Sequence, residues 1–113
     1  MNSDGIQDLI IGAPDWSKNS TMTKVGRSYV ILGKQGGWPA MMNLSKVDGN
    51  NGFTLDGSVS NEVSGSSVSN AGDVNNDGKD DLIIGAQGWN SDSGRVFVVY
   101  GSSFRELFFL FII

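Results

Sequence analysis

Two segments of this chain, 73 positions apart, have nearly the same sequence. Residues 2–16 and 75–89 are identical at ten of fifteen positions, and both contain the string DLIIGA. A second pair, residues 26–33 and 94–101, matches at an offset of 68, so the second copy has five fewer residues between its two matching strings. A period of about 70 residues is typical of repeat architectures, in which each unit buries its apolar face against the next. The repeat therefore restricts the chain to folds that are built by adding similar units.

Each copy contains short apolar segments that are typical of β-strands. Residues 8–12 and 81–85 are apolar runs bounded by Asp and Gly, a pattern that favours strands buried on both faces. Four further segments are predicted strands. Residues 29–32 and 96–100 are β-branched and aromatic, and residues 53–55 alternate between apolar and polar. Residues 64–71 are polar and lead into an acidic loop. Apart from a turn near residues 40–44, no helical period with caps is present. The sequence predicts an all-β fold, a partial β-propeller with antiparallel four-stranded blades.

The repeat pattern divides the chain into three parts. Residues 1–63 are a first repeat that lacks its start, residues 64–104 are a second repeat that lacks its end, and residues 105–113 are an apolar tail. The apolar tail is either a final buried strand or a segment that does not belong to the repeat. The first repeat has a polar stretch at the corresponding place, and this difference favours the second alternative. About one and a half units are fewer than such architectures need, so we expect marginal stability or self-association of the isolated piece.

Composition excludes several classes of function. The chain has no Cys, which excludes disulfides and thiolate chemistry, and no His, which removes the usual general base and the commonest ligand of transition metals. The net charge of −4 has the wrong sign for tracking a phosphate backbone, so nucleic acid is not an expected partner. No secretory signal is readable at the N-terminus, and no apolar run is long enough for a membrane-spanning helix.

Residues 73–81 form an acidic loop between two predicted strands, and this loop carries the clearest chemistry. Oxygen ligands occur at alternate positions, and Gly78 supplies the sharp turn that a residue with a Cβ resists. Calcium accepts six to eight oxygen ligands in irregular cages, whereas magnesium prefers a stricter octahedron. An EF-hand is excluded because its twelfth position would be Ile84 rather than a bidentate Glu. The predicted calcium ligands are the side chains of Asp73, Asn75, Asp77 and Asp81 and the backbone carbonyl of Lys79.

The alternative for this loop is a metal-free turn in which Asp and Asn side chains cap their own backbone. Three carboxylates that converge without a cation would repel one another, which argues against that alternative. The first copy of the loop is incomplete, because it keeps Asn2, Asp4 and Asp8 but the partner of Asp73 would precede Met1. We therefore expect the first copy to bind calcium weakly or not at all.

The chain has three tryptophans, Trp16, Trp38 and Trp89, and two of them, Trp16 and Trp89, occupy equivalent positions in the two copies. Aromatic side chains of this kind can form a sugar-binding platform. Their occurrence at equivalent repeat positions favours a packing role between blades or on a loop.

Taken together, the loop, the strand that follows it and the closing string 94–101 resemble the FG-GAP repeat, best known from the N-terminal β-propeller of integrin α subunits. The resemblance covers nearly all of residues 2–101, although the "FG" position reads Ser64-Gly65 and the second "GAP" reads Gly85-Ala86-Gln87. It implies that each repeat forms one propeller blade and that calcium sits in the loop joining the blade's first two strands. Carried over by position, it implies the ligands Asp73, Asn75, Asp77, Lys79 (through its carbonyl) and Asp81.

The expected function is a calcium-binding propeller segment of a longer extracellular or cell-surface precursor, acting in adhesion, protein–protein interaction or scaffolding rather than catalysis. An alternative is an accessory repeat region of a secreted hydrolase, because FG-GAP repeats also accompany a phospholipase D catalytic domain. That domain would have to lie outside these 113 residues. A gene remnant with no function of its own is a third alternative.

Overall fold

The computed structural model describes residues 8–33, 36, 41–49 and 51–101, together with the backbone of residues 109–112. This part of the chain consists almost entirely of antiparallel β-strands arranged in two sheets, which confirms the all-β prediction. Asn2, Asp4 and most of the tail 105–113 lie outside the described residues.

The first sheet contains three strands in the order β1 (Leu9–Ala13), β2 (Arg27–Ile31) and β3 (Gly52–Asp56). The connection from β2 to β3 carries a 3-10 helix, Leu44–Lys46, whose preceding Asn43 accepts a hydrogen bond from the Ser45 N–H. An Asn side chain at this position satisfies a backbone donor that the helix cannot pair internally, and this explains why the helix begins here.

The second sheet has the order β4 (Ser64–Gly72), β5 (Asp81–Ala86), β6 (Arg95–Val99) and β7 (Phe109–Ile112). A single helical turn, α1 (Trp89–Asp92), joins β5 to β6 and contains left-handed backbone at Asn90 and Ser91. The pairing of β4 with β5 is irregular at both ends of β4, where the register shifts.

Strand β7 pairs with residues 96–99 of β6, which are the positions equivalent to residues 28–31 of β2, where β3 pairs. Val96 pairs with Ile112 and Val99 with Phe109. In the first sheet, the pairs at the equivalent repeat positions are Ser28 with Leu55 and Ile31 with Gly52. The tail therefore supplies a strand at the outer position of the second sheet, although its sequence has no counterpart in the first repeat.

One hydrophobic core joins the two sheets. Its buried members come from β2, β3, β5 and β6, and Ile10, Phe53 and Val68 pack against them. The buried core residues are Val30, Leu55, Leu82, Ile84, Ala86, Phe97 and Val99. Because the core draws on both repeats, each sheet covers apolar surface that the other would otherwise expose to water.

The two DLIIGA strands differ in burial. In β5 four of six residues are buried, as expected for a strand between β4 and β6, whereas no residue of β1 is buried and Leu9 is 43% exposed. The prediction of two doubly buried strands holds only for the second copy, because among the described residues β1 has a paired neighbour on one side alone. No helix in the described ranges is both long and apolar enough to cross a membrane.

The two sheets come close together where β4 begins beside β1. A Cβ atom added to Gly12 would lie 2.1 Å from the carbonyl oxygen of Gly65. Only a glycine at position 12 permits this approach of two backbones, since any larger residue would force the strands apart.

Candidate metal-binding loop

The acidic loop connects β4 to β5, and most of its side chains face solvent. Residues 73–78 and residue 80 are exposed, while Asp81 at the start of β5 is fully buried. The backbone turns sharply at two positions, since φ is 60° at Asn76 and 85° at Gly78. A Cβ on Gly78 would meet no atom within 4 Å, so the positive φ rather than crowding explains the glycine.

The Asp73 carboxylate closes the turn of the loop through two hydrogen bonds from the loop backbone. Its Oδ1 accepts a hydrogen bond from the N–H of Asp77 at 3.0 Å, and its Oδ2 accepts one from the N–H of Gly78 at 2.7 Å. The loop backbone thus bends around the first carboxylate of the predicted ligand set. A short polar side chain that bonds backbone donors four and five residues ahead fixes such a turn without help from tertiary packing.

Asp77 lies at the centre of the loop sequence and interacts with its neighbours on both sides. Its Oδ1 accepts from the N–H of Lys79 at 2.9 Å, and its Oδ2 accepts from the side-chain amide of Asn75 at 3.3 Å. The Lys79 N–H is the main reason why the pKa of Asp77 lies below its ordinary value, and the Asn75 amide adds to the effect. Asp77 is therefore ionised at neutral pH and presents charged oxygen to solvent.

Asp81 ties the loop to the residue that follows strand β6, at the same end of the sheet. Its Oδ2 accepts from the N–H of Val74 at 2.9 Å, and its Oδ1 accepts from the N–H of Gly101 at 2.8 Å. The first repeat contains the equivalent bond, from the N–H of Gly33 to Oδ1 of Asp8 at 2.8 Å. This aspartate thus has a structural role in both repeats, whatever the loop before it binds.

The remaining carboxylate of the loop, Asp80, does not join Asp81. Its Oδ2 accepts from the side-chain amide of Asn70 on β4, at 3.1 Å. Adjacent residues at the start of a strand direct their side chains to opposite faces, as the sequence predicts for this pair.

The predicted ligands are oxygen atoms, which calcium prefers, but they do not form a complete coordination shell. Across the described residues, no three carboxylate side chains converge closely enough to hold a metal ion. The described residues form the ion pairs Arg27–Asp56 and Glu62–Arg95, and neither pair involves the loop. Each carboxylate oxygen that accepts one backbone N–H keeps a second lone pair, and a 180° flip of the Asn75 amide would turn its oxygen toward Asp77.

A second cluster joins the two repeats, and sequence reasoning did not identify it. Glu62, which precedes β4, is fully buried and forms an ion pair with Arg95 of β6. The other carboxylate oxygen of Glu62 accepts from the N–H groups of Ser58 and Val59, at 2.8 and 3.2 Å. All polar atoms of the Glu62 carboxylate are therefore paired, which is the condition for burying a charge.

The two equivalent arginines stack on the two equivalent tryptophans. The guanidinium of Arg27 lies 3.7 Å from the ring centre of Trp16, and that of Arg95 lies 5.0 Å from Trp89. Arg27 binds Asp56 of its own sheet, whereas Arg95 binds Glu62 from the end of the first repeat. The matching Arg and Trp positions in the sequence were the signal that could have located this cluster.

Comparison with known proteins identifies the repeat. Residues 64–99 match the profile of the FG-GAP repeat. The chain is 35% identical over 107 residues to human integrin alpha-6 and 35% identical over 105 residues to integrin alpha-5 of Xenopus laevis, and these matches cover 91% and 89% of the chain. It is also 35% identical over 107 residues to phosphatidylinositol-glycan-specific phospholipase D of Mus musculus, a match covering 90% of the chain. The chain spans only 8%, 9% and 12%, respectively, of the lengths of these three relatives.

Proposed function

Because residues 64–99 of this chain are an FG-GAP repeat, we propose that the chain is a calcium-binding segment of a β-propeller, acting in adhesion, protein–protein interaction or scaffolding and not in catalysis. We further propose that it works outside the cell or at the cell surface as part of a longer protein. Its partner in this proposal is another protein, bound through the complete propeller.

The propeller assignment is supported by the way in which the two repeats are built. Both sheets are antiparallel, both place their strands in sequence order, and both share one core. The second sheet has four strands, which is the number expected for a blade, and the first sheet has three. Similar sheets that follow one another and pack face to face are the arrangement from which radial arrays are built.

The alternating oxygen-bearing side chains of the loop, within a segment that matches the FG-GAP repeat, carry the calcium assignment, because the hydrogen bonds of Asp73 to its own loop backbone also fit the metal-free turn. Two backbone N–H groups hold the Asp73 carboxylate over the turn, and the ionised Asp77 lies in the same short loop. Bound calcium would supply positive charge among these carboxylates and would link the end of β4 to the start of β5. Asp73, Asn75, Asp77, the Lys79 carbonyl and Asp81 would hold it.

Isothermal titration calorimetry with calcium tests this assignment. The parent chain should bind one calcium ion, and Asp77→Ala should abolish the heat of binding. The matched control is Asp4→Ala, which changes the equivalent position of the incomplete first loop and should leave binding unchanged. Equal affinity for magnesium, or no heat of binding in the parent chain, would contradict the ligand assignment.

The match to phosphatidylinositol-glycan-specific phospholipase D favours a second candidate, an accessory repeat region of a secreted hydrolase. Under this proposal catalysis would belong to residues beyond these 113, because the chain contains neither His nor Cys. The full reading frame distinguishes the candidates: further FG-GAP repeats alone favour adhesion, and a His-rich hydrolase domain favours the enzyme.

A further inference from the structure

The connection from β1 to β2 is five residues longer than its counterpart from β5 to β6. Trp16 and Gly26 are ten positions apart, whereas the corresponding Trp89 and Gly94 are five apart, so the extra residues lie between the tryptophan and the glycine. The second repeat closes the same connection with the single turn α1, which shows that the sheet does not require the extra residues. Residues 17–21 of the longer connection are all exposed. An exposed insertion of this kind is a typical place for a separate function.

The insertion contains the triplet Asn19-Ser20-Thr21, which has the Asn-x-Ser/Thr pattern of an N-glycosylation acceptor. The oxygen Oδ1 of Asn19 accepts three hydrogen bonds within this turn. They come from the N–H of Thr21 at 2.9 Å, from the hydroxyl of Thr21 at 2.8 Å and from the N–H of Met22 at 2.8 Å. Each bond spans two or three residues, so the turn forms from local sequence without help from the rest of the fold.

These three bonds fix the direction of the Asn19 amide nitrogen. If the amide were flipped, Nδ2 would face two backbone N–H groups, donor against donor, so the oxygen must lie on the inner side of the turn. Oδ1 and Nδ2 are bonded to opposite sides of Cγ, and Nδ2 is therefore directed away from the turn. Within the described part of the chain, no group accepts a hydrogen bond from Nδ2 of Asn19. The side chain thus presents its nitrogen to solvent.

The chain contains one other such triplet, Asn43-Leu44-Ser45. Its Asn43 Oδ1 also accepts from the N–H and the hydroxyl of Ser45, at 3.0 and 2.8 Å. Helix capping explains those bonds, because Asn43 immediately precedes the 3-10 helix. No helix lies between β1 and β2, so capping does not explain the bonds of Asn19. The two backbone N–H groups already close the Asn19 turn, and the hydroxyl of Thr21 adds the feature that an acceptor triplet needs.

We propose that Asn19 is an acceptor site for an N-linked oligosaccharide. The donor is an oligosaccharide carried on a lipid diphosphate. Nδ2 of Asn19 forms a bond to C1 of the first sugar, and the bond from C1 to the diphosphate oxygen breaks. The diphosphate leaves with the electron pair of that bond, and Nδ2 loses one proton. Glycosylation here rests on the proposed function in one respect, because it requires the chain to enter the secretory route.

The oligosaccharide would lie at the opposite end of the sheets from the acidic loop. Gly12, near the end of β1, contacts Gly65 at the start of β4. The connection that contains Asn19 follows this end of β1, whereas the acidic loop follows the other end of β4. A glycan on Asn19 would therefore cover one end of the sheets and leave the predicted calcium ligands accessible. Glycosylation and calcium binding should be independent of each other.

Cell-free translation with endoplasmic reticulum microsomes tests the proposal. The whole chain is placed behind a cleavable signal sequence, and it carries Asn43→Gln so that any N-linked glycan must be on Asn19. We expect a signal-cleaved, protease-protected product of lower mobility, which peptide N-glycosidase returns to the mobility of the unmodified chain. Mass spectrometry of the treated product should find the Asn19 side chain converted to a carboxylate.

Three variants in the same background locate the modification. Asn19→Gln and Thr21→Ala should each lose the slower product, and Thr21→Ser, which keeps a hydroxyl, should retain it. Thr21→Ala preserves both backbone N–H groups of the turn, so its effect reports the hydroxyl and not the turn.

Two results would overturn the proposal: a protected, signal-cleaved chain without glycan, or a slower product that persists in Asn19→Gln. Calcium binding is measured separately by calorimetry. A glycosylated chain that gives no heat with calcium would refute the calcium assignment and leave the Asn19 site intact.

Discussion

Removing the Glu62 carboxylate should destabilise the chain far more than removing the carboxylate that binds the equivalent arginine in the first repeat. The Glu62 side chain is 0% exposed and that of Arg95 is 11% exposed, so the pair is shielded from water. Glu62→Ala leaves the Arg95 guanidinium without this partner and two backbone N–H groups without their acceptor. Breaking a buried ion pair from one side costs about 3–5 kcal/mol.

Asp56→Ala is the matched control. Asp56 also binds its arginine through two hydrogen bonds, at 2.6 and 3.0 Å, but the two side chains are 24% and 36% exposed. An exposed pair contributes about 0–1 kcal/mol, because water solvates both charges after the pair is broken. The two variants therefore remove the same kind of contact in different surroundings.

Urea unfolding followed by tryptophan fluorescence measures the difference. With a slope of about 1–3 kcal/mol per molar urea, Glu62→Ala should lower the midpoint by at least about 1 M. Asp56→Ala should shift the midpoint by only a few tenths of that unit if the slope is near the middle of the range. If Glu62→Ala does not fold, Glu62→Gln, which retains an acceptor oxygen, gives a smaller loss in the same direction. Equal midpoint shifts for Glu62→Ala and Asp56→Ala would refute the burial argument.

Two further predictions concern the close contact between Gly12 and the Gly65 backbone and the charge of the acidic loop. Gly12→Ala should lower the thermal midpoint more than Gly85→Ala, because its methyl group meets the Gly65 backbone rather than a rotatable Ser67 side chain; equal calorimetric midpoints would contradict this. The pKa of Asp77 is lowered on folding, so its contribution to stability is present above the ordinary value of 3.8 and is lost as pH falls through the folded pKa. Asp77→Asn should flatten the acid limb of the stability curve, as measured by urea unfolding at stepped pH.

The strands could be predicted from sequence because each is specified locally. Within β5 and β6, residues 82–84 and 96–99 are apolar, β-branched or aromatic runs, and such runs have few alternatives to a buried strand. The lower burial of β1 was not predictable from its own residues, since β1 and β5 share the string DLIIGA. It follows from the number of neighbouring strands, which is a property of the assembled sheets.

The acidic loop was recognisable from the spacing of its oxygen-bearing side chains, but the structural contacts of those side chains were not predictable from the sequence. That Asp81 bonds Gly101 depends on the far end of β6, twenty positions along the chain. Glu62 was missed for a similar reason. Its partner Arg95 lies 33 positions away, and no periodic pattern connects an acidic residue in a turn to a basic residue on a strand.

Residues 61–64 bond through their backbone to residues 23–25 of the first repeat. The same stretch contains Glu62, whose carboxylate pairs with Arg95 of the second repeat. The sequence repeat that begins at residue 64 therefore depends on a carboxylate that lies two residues ahead of it. A truncated chain starting at Ser64 would discard Glu62 and leave the Arg95 guanidinium beside Trp89 without that carboxylate, although it would keep the whole matched repeat. A start ahead of Gly57 would keep Glu62 together with the Ser58 and Val59 N–H groups that it accepts from.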